Sequence, residues 1–201
     1  MREMIVKTRT FRRFFEKENI SMDVLSDLVD LARLGGSARN GQPWQYMIIN
    51  TPELCNRVFP FLGWAGYLSD WKGPAEGERP SAYILCLLNS NWLKGPESEA
   101  QFDLGVATQN LLLGAMEHRI GGCRIASISP KLSSLFDLPE HLEISLVIAL
   151  GRPRETVILE ECQSDSDIKY WRDDDGIHHV PKRPLTSCLV ELPILDNLVK
   201  T

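Results

Sequence analysis

Two apolar runs, Ala82–Leu88 and Ile144–Leu150, set the terms on which this chain can fold. Neither alternates polar with apolar residues, so a strand built from either has no face to offer to water. Both are strand-sized and fall well short of the roughly 18 to 20 residues that cross a membrane. They demand cover on both sides, and the cover available is helical. Ser21 stands as an N-cap with Asp23 in the first turn. Val24, Leu25, Leu28, Leu31 and Ala32 then recur at helical spacing up to Gly35-Gly36. Phe102 to Ile120 reads as a longer central helix with so little polar face that burial on most sides is expected, ended by Gly121-Gly122. Tyr46–Ile49 and Cys123–Ala126 read as extended segments, and Pro52 and Ser129-Pro130 open short helices to about Phe59 and Phe136. Strands joined by long helical connections predict an α+β layered fold. No polar linker divides the core elements, so one domain over 1–201 is expected.

A chain of 201 residues buries about 70% of its extended surface and needs no staple. Five cysteines, an odd number without a Cys-x-x-Cys pair, predict a reduced cytoplasmic protein with no cysteine metal site. The first residues lack the apolar stretch of a secretory signal. His118, His141 and His178-His179 lack ligand spacing, so no metal is expected. The net charge of −5 and pI near 5.4 argue against nucleic acid. The basic residues are nonetheless clustered: Arg2, Lys7, Arg9, Arg12 and Arg13 face one nearby acid, Glu3. Such a cluster suits a small anion better than a polymer, or is simply a solvated basic terminus. Between Gly63 and Pro80, four Gly and two Pro surround Trp64, Tyr67 and Trp71, which predicts a loop or flap whose aromatics cover a ligand or pack the loop down. Residues 160–176 hold seven acids and read as a surface excursion. The apolar tail from Pro184 needs cover, for which a second subunit is a candidate.

Four segments carry candidate chemistry. Arg9-Thr10-Phe11-Arg12-Arg13-Phe14 groups guanidinium donors and a hydroxyl suited to a phosphate. Gly36-Ser37-Ala38-Arg39-Asn40-Gly41-Gln42-Pro43-Trp44 offers small residues for close approach to a flat ligand, with amides that both donate and accept. Asp103-Leu104-Gly105 and Gln109-Asn110 lie on the central helix ahead of Gly121-Gly122-Cys123-Arg124-Ile125. Lys182-Arg183-Pro184-Leu185 is basic again. No side-chain triad accompanies them. In this order, and with Gly151-Arg152-Pro153 closing a strand, the segments resemble the FMN-dependent nitroreductase family; the Asn40-x-Gln42-Pro43-Trp44 element is the most specific.

The resemblance implies a nitroreductase-like α+β fold, with a central, mainly antiparallel sheet flanked by helices, in an intertwined homodimer with FMN at the subunit interface. It implies that Arg9, Thr10, Arg12, Lys182 and Arg183 meet the phosphate and ribityl chain. Gly36, Ser37, Ala38, Asn40 and Gln42 would contact the ring from the partner subunit, and the backbone of Ile125, Ala126 and Ser127 would lie near N5 and O4. The chemistry would then be carried by FMN rather than by a catalytic side chain, passing hydride from NAD(P)H to a nitroaromatic, quinone or similar flat acceptor in ping-pong fashion. Alternatives within the resemblance are a specialised dehalogenase-like or flavin-fragmenting relative, or a flavin-binding protein without turnover. The segment 61–81 would be the flap and 184–201 an arm on the partner. Gly36, Arg39 and Arg124 depart from the family pattern, and Arg124 and Trp71 are candidates for the substrate side. No nucleic-acid or membrane partner is expected.

Overall fold

The computed structural model describes residues 1–162 and 167–190. They fall into two compact units that divide after Val157.

The first unit holds α1 (Arg2–Lys7), α2 (Met22–Arg33), β1 (Trp44–Ile49), α3 (Pro52–Val58), β2 (Ala82–Asn89), α4 (Glu97–Glu117), β3 (Gly121–Ile125) and β4 (Leu142–Gly151). The four strands form one antiparallel sheet in the order β1-β2-β4-β3. β2 lies at its centre and is buried along its whole length. Its register with β4 pairs Ile84 with Ile148 and Leu85 with Val147. The pleat then sorts the side chains. Ala82, Ile84, Cys86 and Leu88, with Ile148 and Leu150, pack under Leu25, Leu28, Leu104, Leu111 and Ala115 of α2 and α4. Tyr83, Leu85 and Leu87, with Val147 and Ala149, pack against Val58, Leu62 and Leu132 on the other face. Two covered faces are the reason the run shows no polar alternation.

α2 follows the expected pattern, with Ser21 Oγ accepting from the Val24 N–H. It rests on α4 at Gly114, where a Cβ would come within 2.1 Å of Leu31 Cδ1. The central helix departs from expectation in three respects. It starts at Glu97, five residues before Phe102, with Glu97 and Glu99 in its first turn. It ends at Glu117 through a left-handed Arg119 (φ 58°), so Gly121 and Gly122 open β3 instead of stopping the helix. It is also not buried on most sides: Phe102 is 77% and Val106 47% exposed. Between Phe61 and β2 the chain forms turns without helix or strand, and Glu16 accepts from the backbone N–H groups of Gly77 and Arg79.

In the second unit, β5 (Val157–Glu161), β7 (His178–Lys182) and β6 (Trp171–Arg172) form a three-stranded sheet in that order. The expected surface excursion at 160–176 is thus partly sheet. Its acids conceal a β pattern because two of them, Glu160 and Asp173, point at His179 rather than at water. A short helix, α5 (Leu185–Cys188), follows, and 191–201, most of the expected arm, lie outside the described residues. Among the described residues no helix is long and apolar enough to cross a membrane.

Candidate functional site

β3 is an edge strand of the main sheet, and the arginine segment runs beside it. Thr10 bridges Gly122 in parallel, and the Phe11 N–H donates to the Gly122 carbonyl at 3.1 Å. Fully buried Phe14 anchors the segment. The Glu155 carboxylate accepts from the backbone N–H groups of both Arg12 and Arg13. Arg12 is buried. Arg13 faces Glu78 at 3.4 Å and Trp71, whose ring centroid is 6.0 Å from its guanidinium carbon. Trp71 therefore stands with the arginine segment and is absent from the lining of the cavity around Arg124. Arg9 donates to the Ile5 carbonyl at 2.5 Å, while its Nε is buried with no hydrogen-bond partner among the described residues. Burial pushes the Arg9 pKa down.

The loop after α2 is held by α4. The Ala38 N–H donates to both carboxylate oxygens of Asp103, at 3.0 and 3.1 Å. Arg39 pairs with Glu99, and the Trp44 indole N–H donates to the Ala100 carbonyl at 2.9 Å. Within the loop the Gln42 N–H donates to Ser37 Oγ at 3.2 Å, and the Gln42 amide donates to Asn40 Oδ1 at 3.0 Å. Arg39, Asn40 and Gln42 all adopt left-handed backbone, with φ of 54°, 52° and 48°. Asn tolerates that region, whereas Arg and Gln are held there at a cost of order 1–3 kcal/mol each, a pattern that clusters at binding sites. Beneath the loop lies a cavity of about 380 Å³ lined by Gly36, Ser37, Gln42, Trp44, Tyr46 and Asp103 among others, within the range of small-molecule sites. Burial pushes the Tyr46 phenol up, which keeps it neutral.

A second, more open cavity of about 560 Å³ lies on the outer side of α4, lined by Phe102, Gly105, Val106, Gln109, Asn110 and Arg124. The two share a wall: a Cβ on Gly35 would meet Asn110 Nδ2 at 3.1 Å and Val106 at 3.3 Å. Arg124 stands on β3, its Nε donating to Thr108 Oγ1 at 2.9 Å and a terminal nitrogen to Gln109 Oε1 at 2.7 Å. Thr108 was not legible as a site residue, although a hydroxyl on the buried face of an apolar helix was its signal. β3 ends at buried Ile125, and Ala126 and Ser127 are exposed beyond it. Ser127 accepts from the Gly63 N–H at 2.7 Å, which ties this turn to the start of the 61–81 segment. Cys123 and Cys86 offer no nucleophile, since burial pushes their thiols to about 11 and about 12. Lys182 and Arg183 are exposed at the end of β7 in the second unit.

The residues expected to serve one site thus fall, within the first unit, on two adjoining supports. The arginine segment and Ile125–Ser127 share β3, and the loop from Gly36 to Gln42 shares α4 with Arg124. No family model matches the chain. It is 27% identical over 157 residues, 75% of its length and 76% of the relative's, to a protein from Methanothermobacter thermautotrophicus named as an NADH dehydrogenase/NAD(P)H nitroreductase. A protein of the same name from Archaeoglobus fulgidus is 24% identical, covering 75% and 84% of the two chains. A nitroreductase from Desulfovibrio desulfuricans, solved in complex with FMN, superposes with a TM-score of 0.66 at 21% identity over 95% of both chains. A nitroreductase family protein from Streptococcus pneumoniae gives 0.63 at 14% identity, over 85% and 98%.

Proposed function

From the premise that this chain has the nitroreductase fold, we propose that it is an FMN-dependent oxidoreductase that works as a homodimer. The observation that carries the reading is the register of Thr10 on Gly122, which sets the arginine segment and the Ile125–Ser127 turn along one edge strand. Cationic donors suited to a phosphate and backbone donors suited to a flat ring then share one support. The residues fit the cofactor: among the described residues Arg9 keeps a buried Nε–H with no acceptor, a place a phosphate oxygen would fill.

In this reading Arg9, Thr10 and Arg12 hold the phosphate and ribityl chain. Ile125, Ala126 and Ser127 present backbone to the ring. Gly36, Ser37, Ala38, Asn40 and Gln42 of a second copy close on it from the other side. When bound, FMN would supply the redox chemistry, namely ping-pong hydride transfer from NAD(P)H to a nitroaromatic, quinone or similar flat acceptor. The chain's own part is to neutralise the phosphate, fix the ring and keep one face open to donor and acceptor in turn. The apolar surface of α1 and α4, with Ile5, Val6, Phe102 and Val106 exposed, supports the second copy.

Purified protein is expected to be yellow, or to become so with FMN, and to lose that colour under NADH or NADPH. Protein that takes up no flavin overturns the reading. Arg9→Gln is expected to weaken FMN binding at least tenfold, as removal of a charge-assisted hydrogen bond does, in a flavin-fluorescence titration.

A further inference from the structure

Each backbone N–H from Phe11 to Phe15 has an acceptor, and two of these acceptors are of a different kind from the rest. Phe11 donates to the Gly122 carbonyl of β3 at 3.1 Å, Phe14 to the Glu78 carbonyl at 2.9 Å and Phe15 to the Arg152 carbonyl at 2.9 Å. Arg12 and Arg13, between them, donate instead to a side chain, and to one atom of it, Glu155 Oε1. Successive N–H groups of a strand point to opposite edges. Two that meet on one oxygen therefore bend the chain into the concavity that a backbone forms around an anion. The bend is where the segment changes neighbours. Thr10 bridges Gly122 in parallel before it, and Phe14 bridges Pro153 in antiparallel fashion after it.

Glu155 is itself held in place. The N–H of Arg154 donates to the Arg13 carbonyl at 2.9 Å, so the carboxylate reaches the bend from the stretch of chain already paired with it. Arg12 and Glu155 both lie close enough to β3 to act on the Cys123 thiol: burial pushes that thiol up, Arg12 draws it down and Glu155 pushes it up again. Arg9 and Thr10 precede the bend, and buried Arg12 stands in it. Without the carboxylate, two N–H groups lose their acceptor, and a chain that straightens to find others carries Arg9 and Thr10 with it. We propose that Glu155 is a positioning residue for the phosphate: it touches no cofactor, and it holds the bend from which Arg9, Thr10 and Arg12 act. That a phosphate is what these three meet rests on the proposed function.

The test is flavin-fluorescence titration of the full chain with FMN and with riboflavin, which has the same ring and ribityl chain but no phosphate. Wild type, Glu155→Ala, Glu155→Gln and Glu155→Asp are compared. Wild type is expected to bind FMN at least about tenfold more tightly than riboflavin. Glu155→Ala should weaken FMN at least about tenfold and riboflavin less than about twofold, which removes the preference. Glu155→Gln keeps an acceptor oxygen at the same reach and should hold the preference to within about threefold. Glu155→Asp keeps the charge but is one methylene short, and should lose the preference in part. Equal binding of the two flavins by wild type overturns the proposal. Equal weakening of both by Glu155→Ala also overturns it, because Glu155 would then only support the fold. So does Glu155→Gln as impaired as Glu155→Ala, since charge rather than the bend would then matter. Should Glu155→Ala not fold, Glu155→Asp decides, and a preference equal to that of wild type overturns the positioning role. Wild type that binds neither flavin overturns the proposed function, whereas a preference for FMN that survives in every variant overturns the role of Glu155 alone.

Discussion

Asp103 does more for the candidate site than its place in the sequence suggests. It spends both carboxylate oxygens on one backbone donor, the Ala38 N–H, and so fixes a loop 65 residues away. Arg39, Asn40 and Gln42 remain left-handed because that anchor, the Arg39–Glu99 pair and the Trp44–Ala100 bond over-determine the turn. Asp103→Asn exchanges a charge-assisted bond for a neutral one. It is expected to cost about 1 kcal/mol in urea unfolding and to weaken FMN retention several-fold. Asn40 and Gln42 were legible because their motif is contiguous. Asp103 was noticed on its helix, but its role was hidden, since no local pattern records which distant N–H a carboxylate will find. Thr108 was hidden for the same reason: its bond to Arg124 spans 16 residues and two elements.

At the scale of elements, periodicity served best where both faces are covered. β2 and β4 were legible from apolar content alone, and α2 from its cap and stripe. Amphipathicity misled at α4, where apolar side chains point both into the core and outward at Phe102 and Val106. Acidic composition misled in the three-stranded sheet. There His179 sits between Glu160 and Asp173, 3.1 Å from the latter, and stacks on Trp171 with ring centroids 3.9 Å apart. Its hydrogen bonds to Asp173 and Glu160 raise the His179 pKa, and the bond to His179 lowers that of Asp173. A raised histidine pKa gives stability that is full below the unfolded value, near 6.5, and is lost as pH rises through the folded value. A lowered aspartate pKa gives stability present above its unfolded value, near 4, and lost as pH falls through the folded one. The sheet is therefore expected to hold best between about pH 4 and 6.5 and to loosen above that window. Trp171 fluorescence across that range checks this, and His179→Gln should flatten the profile.

For the whole molecule, the decisive surface is the one the protomer leaves apolar. Phe102 on α4, with Ile5 and Val6 on α1, lies open to solvent. A soluble monomer gains nothing from such a patch, and the proposed dimer would cover it. Phe102→Glu places a charge there and is expected to weaken self-association roughly a hundredfold or more, with loss of FMN in parallel. Sedimentation velocity reads the first effect and the flavin spectrum the second. An unaltered dimer would exclude α4 as the interface. The resemblance drawn from ordered motifs was legible across the main sheet and its helices, and the comparisons bear it out. The second copy was implied by that resemblance and by the apolar tail from Pro184, which needs cover, but not by α4, whose exposed face differs in sequence from a core face only in having no neighbour.

The Glu155 clamp on Arg12 and Arg13 has a consequence for the order of assembly. Arg12 finds its anchor 143 residues further along the chain, and the Phe15 N–H and Arg13 carbonyl are tied to Arg152 and Arg154. While the polypeptide is being made, the first arginines emerge early and must wait, undocked, until the last strand of the main sheet and Glu155 beyond it have left the ribosome. A nascent chain halted before Glu155 would accordingly lack the clamp on the proposed anion-binding edge, so pigment uptake is expected to come late rather than to guide folding.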